Sequence, residues 1–341
     1  MNTSLYEAEV HQGIERIAAD EIQEVLCVSQ SQLKIHRGRI LFEYSGPSER
    51  LLSLRTVIAI YSVLNFEVSR PKALLGHAHW KRLEEQIASA LVNAPRHIWK
   101  TSHLSAAGAD STVLQRLRRE IAAVFHLQDH SEEGDLWIRL RHDEPYWQTL
   151  VRISPRPLVT RSWRVAHLEG ALNAGVAHAM LRMLNIQPDD HLLNLCAGSA
   201  TFLIERSAYH TGGCALGIDW SVESYQAGQA NLNAWGRSER LRYVLADVCK
   251  LPLADNSFSM LCADLPFGQR MGSSAENKRL YPCLLSEAAR VAQLGAKFAV
   301  LTHAVRLIRH SLDHQKAWRC VQEQMIVLRG LHPRIYILQR V

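Results

Sequence analysis

Four adjacent residues, Asp264-Leu265-Pro266-Phe267, bring together a carboxylate, two backbone carbonyls and an aromatic ring. They follow the apolar run Ser259-Met260-Leu261-Cys262-Ala263, which reads as a short buried strand. An acid and carbonyls at a strand's end accept hydrogen bonds from an exocyclic amino group. A proline fixes the backbone so that those acceptors converge, and an aromatic face stacks on the base that carries the amine. The set therefore fits chemistry on the amino nitrogen of a nucleobase, with Asp264, Leu265, Pro266 and Phe267 as its catalytic group.

A second cluster lies upstream. Leu192 to Leu195 reads as a strand, Cys196-Ala197-Gly198-Ser199-Ala200 as a turn of small residues, and Thr201 as the start of a helix. Small residues let a ligand approach the backbone closely, and the exposed amides of such a turn favour a carboxylate or phosphate. Asp219, ending the next predicted strand, suits the two hydroxyls of a ribose. Asp247, ending a third, is placed to reach an adenine amino group. The predicted cofactor-binding set is Asn194, Cys196, Ala197, Gly198, Ser199, Thr201, Asp219, Trp220, Asp247, Val248 and Asp264. A dinucleotide site prefers Gly-x-Gly-x-x-Gly. Here the turn reads Gly198-Ser199-Ala200-Thr201-Phe202-Leu203 and lacks both later glycines. Acids at the ends of strands two, three and four fit S-adenosyl-L-methionine better than NAD.

The elements that must position these residues alternate. Strands are expected over 191–195, 214–219, 241–246, 260–264 and 297–302, with helices over 201–209, 222–235 and 280–294, the last capped by Gly295. A terminal hairpin is expected from 324–329 and 334–340. This alternation predicts an α/β fold: a Rossmann-like, doubly wound, mostly parallel sheet with a closing antiparallel strand. The amino half reads as α+β. Helices are expected over 15–28, 79–94 and 111–125, and strands within 32–44 and over 137–141 and 147–154. The break Pro155-Arg156-Pro157 puts the boundary near 160, giving regions 1–160 and 161–341.

Composition narrows the class. The chain has 341 residues, 47% of them hydrophobic, and a formal charge of +6. That is a globular protein with a modest basic excess, compatible with nucleic acid. Its seven cysteines form no Cys-x-x-Cys pair and read as free thiols in a reducing cytoplasm. The first residues do not read as a secretory signal, and no apolar run reaches the ~20 residues needed to span a membrane. His77 and His79 lack a Cys or acid at ligand spacing, so no metal is expected. Arg116, Arg118, Arg119, Arg139, Arg141, Arg152, Arg156, Arg161 and Arg164 would bind RNA backbone if they share a face, with scattered surface charge as the alternative. Arg270 and Arg279 are candidates for phosphate contacts.

The run from Asp264 to Gly272, continuing to Leu280-Tyr281-Pro282, closely resembles the THUMP-domain RNA methyltransferases that make N2-methylguanosine in tRNA. Asn194 to Ile204 resembles their Asp-Pro-x-Cys-Gly-Ser-Gly-Thr-x-Leu-Ile turn, with Asn194, Leu195, Ala197 and Ala200 departing from it. Gly217-Ile218-Asp219 with Ala230-Asn231 and Gly236, Arg164 to Leu181, Tyr6 to Glu15 and Leu54 to Val57 resemble further segments, so the likeness spans nearly the whole chain. The resemblance implies a class I methyltransferase domain behind an N-terminal THUMP-like RNA-binding region. It also implies S-adenosyl-L-methionine as cofactor and RNA, most simply tRNA, as partner. Asp264 and the Leu265 carbonyl would hold a guanine 2-amino group while Phe267 stacks on the flipped base. An rRNA guanine enzyme, a DNA adenine enzyme and a non-catalytic RNA-binding relative stay open. So do the oligomeric state and a small activating protein partner of the kind some relatives need.

Overall fold

The computed structural model describes residues 3–107, 111–210, 212–237, 239–266 and 274–341. Phe267 and Arg270 lie outside them. The chain divides into two compact units, one of residues 1–10 and 18–159, the other of 11–17 and 160–341.

The first unit carries β1 (Ser4–Glu9), α1 (Glu15–Leu26, whose opening residues group with the second unit), β2 (Lys34–His36), β3 (Arg39–Tyr44), α2 (Ser48–Leu52), β4 (Ala59–Phe66) and α3 (His77–Leu91). It continues through β5 (Thr101–Ala106), α4 (Thr112–Val124), β6 (Gln128–Asp129), β7 (Leu136–Asp143) and β8 (Tyr146–Arg152). The strands form one sheet in the order β2-β3-β1-β4-β8-β7-β5-β6. The burial of β7 alternates along Leu136, Ile138 and Leu140, the period-2 pattern of a strand with one covered face. Those residues pack with Leu83 and Ile87 of α3 and Leu114, Leu117 and Ile121 of α4. At the other end Ala8, Ile40 and Phe42 pack with Ala18 and Ile22 of α1 and Leu51 of α2. The buried Glu21 carboxylate accepts from the amides of Arg55 and Thr56, both at 2.8 Å, and so ties the segment after α2 to α1.

The second unit runs α5 (Ala174–Leu184), β9 (Leu192–Leu195), α6 (Thr201–Tyr209), β10 (Ala215–Asp219), α7 (Val222–Trp235), β11 (Leu241–Leu245), β12 (Phe258–Asp264), α8 (Ser274–Val291), β13 (Ala292–Thr302), α9 (Val305–Asp313), β14 (Trp318–Met325) and β15 (Arg334–Arg340). Its sheet has the order β11-β10-β9-β12-β13-β15-β14, parallel from β11 to β13 and antiparallel through β15 and β14. The chain winds outward from β9 through β10 to β11, then returns to lay β12 on the other side of β9. That reversal makes the carboxyl ends of β9 and β12 the place where such sheets bind ligands. Two cores cover the faces, one including Met180 of α5 and Leu203 of α6, the other Leu284 of α8 and Ile308 of α9.

Three sequence-based expectations need correction. Gly295 does not cap a helix: α8 ends at Val291 and Gly295, at φ +80°, lies in a bulge of β13, whose partners step from Ala292 to Lys297 while β12 advances from Phe258 to Met260. The hairpin strand expected over 324–329 is instead β14 over Trp318–Met325, and Leu328 and Leu331 form only an isolated bridge. The arginines of the amino half do not form a free basic face. Arg118 pairs with Asp129, Arg139 with Glu9 and Arg141 with Glu7. Arg152 is 5% exposed and donates to the carbonyls of Gly134, Asp135, Ser154 and Pro155. Arg116 meets Glu120 one helical turn on. Of the nine, Arg119 and Arg156 stay exposed, with side chains that have no partner among the described residues.

Candidate active site

The register of the parallel strands sets the site. Leu195 of β9 lies opposite Ile218 of β10 on one side and Ala263 of β12 on the other. Asp219 and Asp264 therefore stand one residue further on, flanking Cys196. Burial, then the Asp219 and Asp264 carboxylates, hold the Cys196 thiol well above its ordinary range.

Beyond β9 the chain makes a turn in which every second residue is left-handed: Cys196 at φ +54°, Gly198 at +52° and Ala200 at +64°. The amides of Ala197, Gly198 and Ala200 are used within the fold, by the Ile218 carbonyl, Asp219 Oδ2 and the Ala197 carbonyl, so the turn is held in place by its neighbours. A methyl group built on Gly198 meets no atom within 4 Å, so open space faces this turn. The Gly198 amide donates to Asp219 Oδ2 at 2.9 Å and the Ser221 amide to Asp219 Oδ1 at 3.0 Å. The second strand's acid thus braces the turn, and the Tyr243 hydroxyl donates to the Gly198 carbonyl at 2.8 Å.

Asn194, fully buried, donates through Nδ2 to the carbonyls of Leu195 and Cys262 at 3.2 and 3.3 Å and so ties β9 to β12. A carboxylate could not donate these bonds, so the departure to Asn194 has a structural use. Thr201, 2% exposed, accepts from Arg164 Nη2 at 3.0 Å, which puts its side chain among buried supports. Ser199 is buried beside it, its Oγ 3.3 Å from Thr201 Oγ1. Ala197 is buried, its amide donating to the Ile218 carbonyl. Trp220 is 78% exposed directly after Asp219. Asp247 is exposed and accepts from the Cys249 amide at 2.8 Å, while Val248 is buried in the core beneath α8.

At the end of β12, Asp264 is only partly exposed, and its Oδ1 is buried with no hydrogen-bond partner among the described residues. Burial without a compensating donor raises its carboxyl to about 7. The Leu265 amide continues the ladder to the Leu301 carbonyl at 2.9 Å. The Pro266 carbonyl accepts from Asn277 Nδ2 at 2.9 Å and from the Tyr281 hydroxyl at 3.1 Å. The Tyr281 oxygen lies 2.7 Å from Thr302 Oγ1, which accepts from the Ala304 amide at 2.9 Å. A carbonyl only accepts, so Tyr281 gives its proton to Pro266 and Thr302 gives its own to Tyr281. Asn277, Tyr281 and Thr302 are 2%, 0% and 0% exposed. Sequence alone assigns them no roles, because polar residues on α8 and β13 announce no partner in the turn after β12.

Asn231 is a further support outside the predicted set. Fully buried on α7, it accepts from the amides of Val165 and Ala166, both at 2.9 Å, and donates to the carbonyls of Ala166 and Ser199, both at 3.1 Å. It fastens the segment before α5 to the turn after β9.

This seven-stranded sheet, with a left-handed turn after β9 and acids ending β10 and β12, is the fold of the S-adenosylmethionine-dependent class I methyltransferases. The family described as RMKL-like, methyltransferase domain, matches residues 161–334, and the chain belongs to it. The chain is 30% identical over 185 residues to tRNA (guanine(6)-N(2))-methyltransferase THUMP3 of Bos taurus, a match covering 50% of this chain and 36% of that protein. The chain thus spans little more than a third of that curated relative. It is 23% identical over 347 residues to tRNA (guanine(6)-N2)-methyltransferase of Thermus thermophilus, covering 98% of this chain and 99% of the other. The crystal structure of TrmN from Thermus thermophilus superposes with a TM-score of 0.78 at 19% identity, covering 100% of both chains.

Proposed function

We propose that the protein transfers a methyl group from S-adenosyl-L-methionine to the exocyclic 2-amino group of a guanosine in RNA, with tRNA as the substrate. The observation that carries this reading is the Asp264 Oδ1 at the end of β12, buried with no partner among the described residues, beside a turn whose Pro266 carbonyl is held by two buried side chains. The relatives that carry this activity by name support the substrate class.

The residues present fit the cofactor: open space at Gly198, a braced acid at Asp219, the exposed Trp220 and Asp247, and at Asp264 an acceptor without a partner among the described residues. The turn of 196–200 and Asp219 would hold it, and when bound it supplies a methyl group activated on a sulfonium. Asp264 accepts a hydrogen bond from the guanine amine, which points the nitrogen at the methyl carbon. Positioning provides most of the acceleration. The amine becomes acidic only as the new N–C bond forms, so a carboxylate with a pKa near 7 suffices to take its proton. Phe267, next in sequence, supplies the stacking face in this reading. The first unit acts as the THUMP-like RNA-binding region, with the boundary at 160/161, and the setting is the cytoplasm, in keeping with seven free cysteines.

The test is methyl transfer from labelled S-adenosylmethionine to unmodified tRNA, rRNA and DNA, followed by nucleoside analysis. N2-methylguanosine in tRNA is expected. N6-methyladenine in DNA, or no transfer together with no cofactor binding, overturns the reading.

A further inference from the structure

An open cleft of about 420 Å³ lies directly beyond the Asp264 turn, lined by Asn277, Lys278, His303, Ala304, Arg306 and Leu307 among others. Its size is within the range of small-molecule sites. Two features give it an anionic preference. Lys278 and Arg306 are exposed and have no hydrogen-bond or ion-pair partner among the described residues, whereas most arginines of this chain are committed to carboxylates or carbonyls. The cleft also takes in the start of α9, which opens on Ala304 without a side-chain cap; the Ala304 amide goes to Thr302 Oγ1, that of Val305 to the His303 carbonyl and that of Leu307 to the Ala304 carbonyl, which leaves the Arg306 amide of this first turn without a partner among the described residues. That amide and the positive end of the helix dipole favour a negative group.

The cleft is wired to the methyl-transfer centre. Asn277 forms its buried wall, and while Nδ2 holds the Pro266 carbonyl, Oδ1 is buried and lacks a partner among the described residues. Ala304 closes the chain of bonds that runs from its amide through Thr302 and Tyr281 to the same carbonyl.

We propose that this cleft is a backbone subsite of the methyl-transfer centre: it takes a phosphodiester of the nucleic-acid strand next to the target nucleotide, held by the Lys278 side chain and by the side chain and amide of Arg306. The proposal rests on the nucleic-acid reading given above. It places two positively charged side chains on the strand at the point where the target base leaves its stack, a step that needs the flanking backbone held fast.

The experiment uses the full chain with Lys278→Ala, Arg306→Ala and the double variant, and with Lys278→Arg/Arg306→Lys as the charge-preserving control. Binding of unmodified tRNA is measured over a salt series, and S-adenosylmethionine binding by calorimetry. In the double variant we expect RNA affinity to fall about tenfold and the slope of log K against log salt to drop by about 0.9, the loss of one phosphate contact. Cofactor affinity should stay unchanged, and the charge-preserving variant should keep the parent's slope. A slope and affinity equal to the parent's overturn the subsite, even if the parent methylates RNA. Conversely, a parent that binds RNA with a slope lost in the double variant but methylates no RNA leaves the subsite standing and overturns the reaction assigned above.

Discussion

Tyr281 donates its hydroxyl to the Pro266 carbonyl across 3.1 Å, from a fully buried position on α8. The bond fixes the direction of the peptide just after Asp264, and Thr302 leaves the tyrosine no other orientation for its proton. Tyr281→Phe keeps the ring's packing and removes the hydroxyl, with its bonds to Pro266 and Thr302. The variant should lose about 1–2 kcal/mol of stability. Its kcat for RNA should fall roughly tenfold, the effect of a small misplacement of the reacting groups. Cofactor affinity, measured by calorimetry, should stay within twofold. A variant with unchanged kcat would reduce Tyr281 to a packing residue.

Asp264 has opposite pH signatures in function and in stability. Burial raises its carboxyl from 3.8 to about 7, so the acceptor form gains population as pH rises through 7. Turnover should climb over that range and level above it, and Asp264→Asn should remove both the activity and the step. For stability the folded state binds more protons than the unfolded one between pH 4 and 7. Stability contributed by this group is therefore present below the unfolded pKa and is lost as pH rises through about 7. Each tenfold difference in proton affinity between the folded and unfolded states is worth about 1.4 kcal/mol. Asp264→Asn should thus raise the unfolding free energy at pH 8 by a few kcal/mol and change it little at pH 4. Chemical denaturation of the cofactor-free protein at the two pH values reads the difference directly. A parent and variant of equal stability at pH 8 would mean that Asp264 is not held in an unfavourable setting.

Asp219 braces the turn after β9 through the Gly198 amide, and the space at Gly198 is open. Asp219→Ala removes a charged acceptor and should weaken S-adenosylmethionine binding by about tenfold to a hundredfold. Asp219→Asn keeps one acceptor oxygen and should fall between. Equal cofactor affinity in all three proteins would take Asp219 out of the binding set.

Much of the second unit was legible because its signals are local. Helices α6 and α7 begin and end where the residue pattern puts them, α7 closing on Gly236 at φ +70°. The acids ending β10 and β12 could be read from the apolar runs before them. What stayed hidden was long-range. Nothing near Asn277 or Thr302 in sequence states that both serve Pro266, and nothing near Arg139 states that its partner is Glu9, across 130 residues. Charge alone suggested an RNA-binding face, and pairing used most of that charge inside the fold. Strand β5 was missed because Thr101–Ala106 carries little apolar character beyond Leu104 and is placed by its neighbour β7.

Ala200 stands where the resembled turn has glycine, and it adopts φ +64° while fully buried. A left-handed alanine costs roughly 1–2 kcal/mol, part of which a glycine returns to the unfolded chain's entropy. Ala200→Gly should therefore stabilise the protein by about 0.5–1 kcal/mol, visible as a rise of a few degrees in melting temperature. A lower melting temperature would show that the methyl's packing outweighs the strain.

Arg161 and Arg119, both expected at the outset to contact RNA, should now separate. Arg161 is buried against the fully buried Glu205, with Nε to Oε1 at 2.9 Å and Nη2 to Oε2 at 3.3 Å. Removing one partner of such a pair strands the other in a low-dielectric core, so Arg161→Ala should cost about 3–5 kcal/mol of stability. RNA affinity of the fraction that stays folded should not change. Arg119 is exposed on α4 without a partner among the described residues. Arg119→Ala should leave the melting temperature within a degree or so and lower RNA affinity with a reduced salt slope. Melting curves and RNA titrations of the two variants decide the assignment, because an exposed phosphate contact and a buried structural cation move opposite observables. An Arg161→Ala protein of parental stability that binds RNA weakly would reverse it.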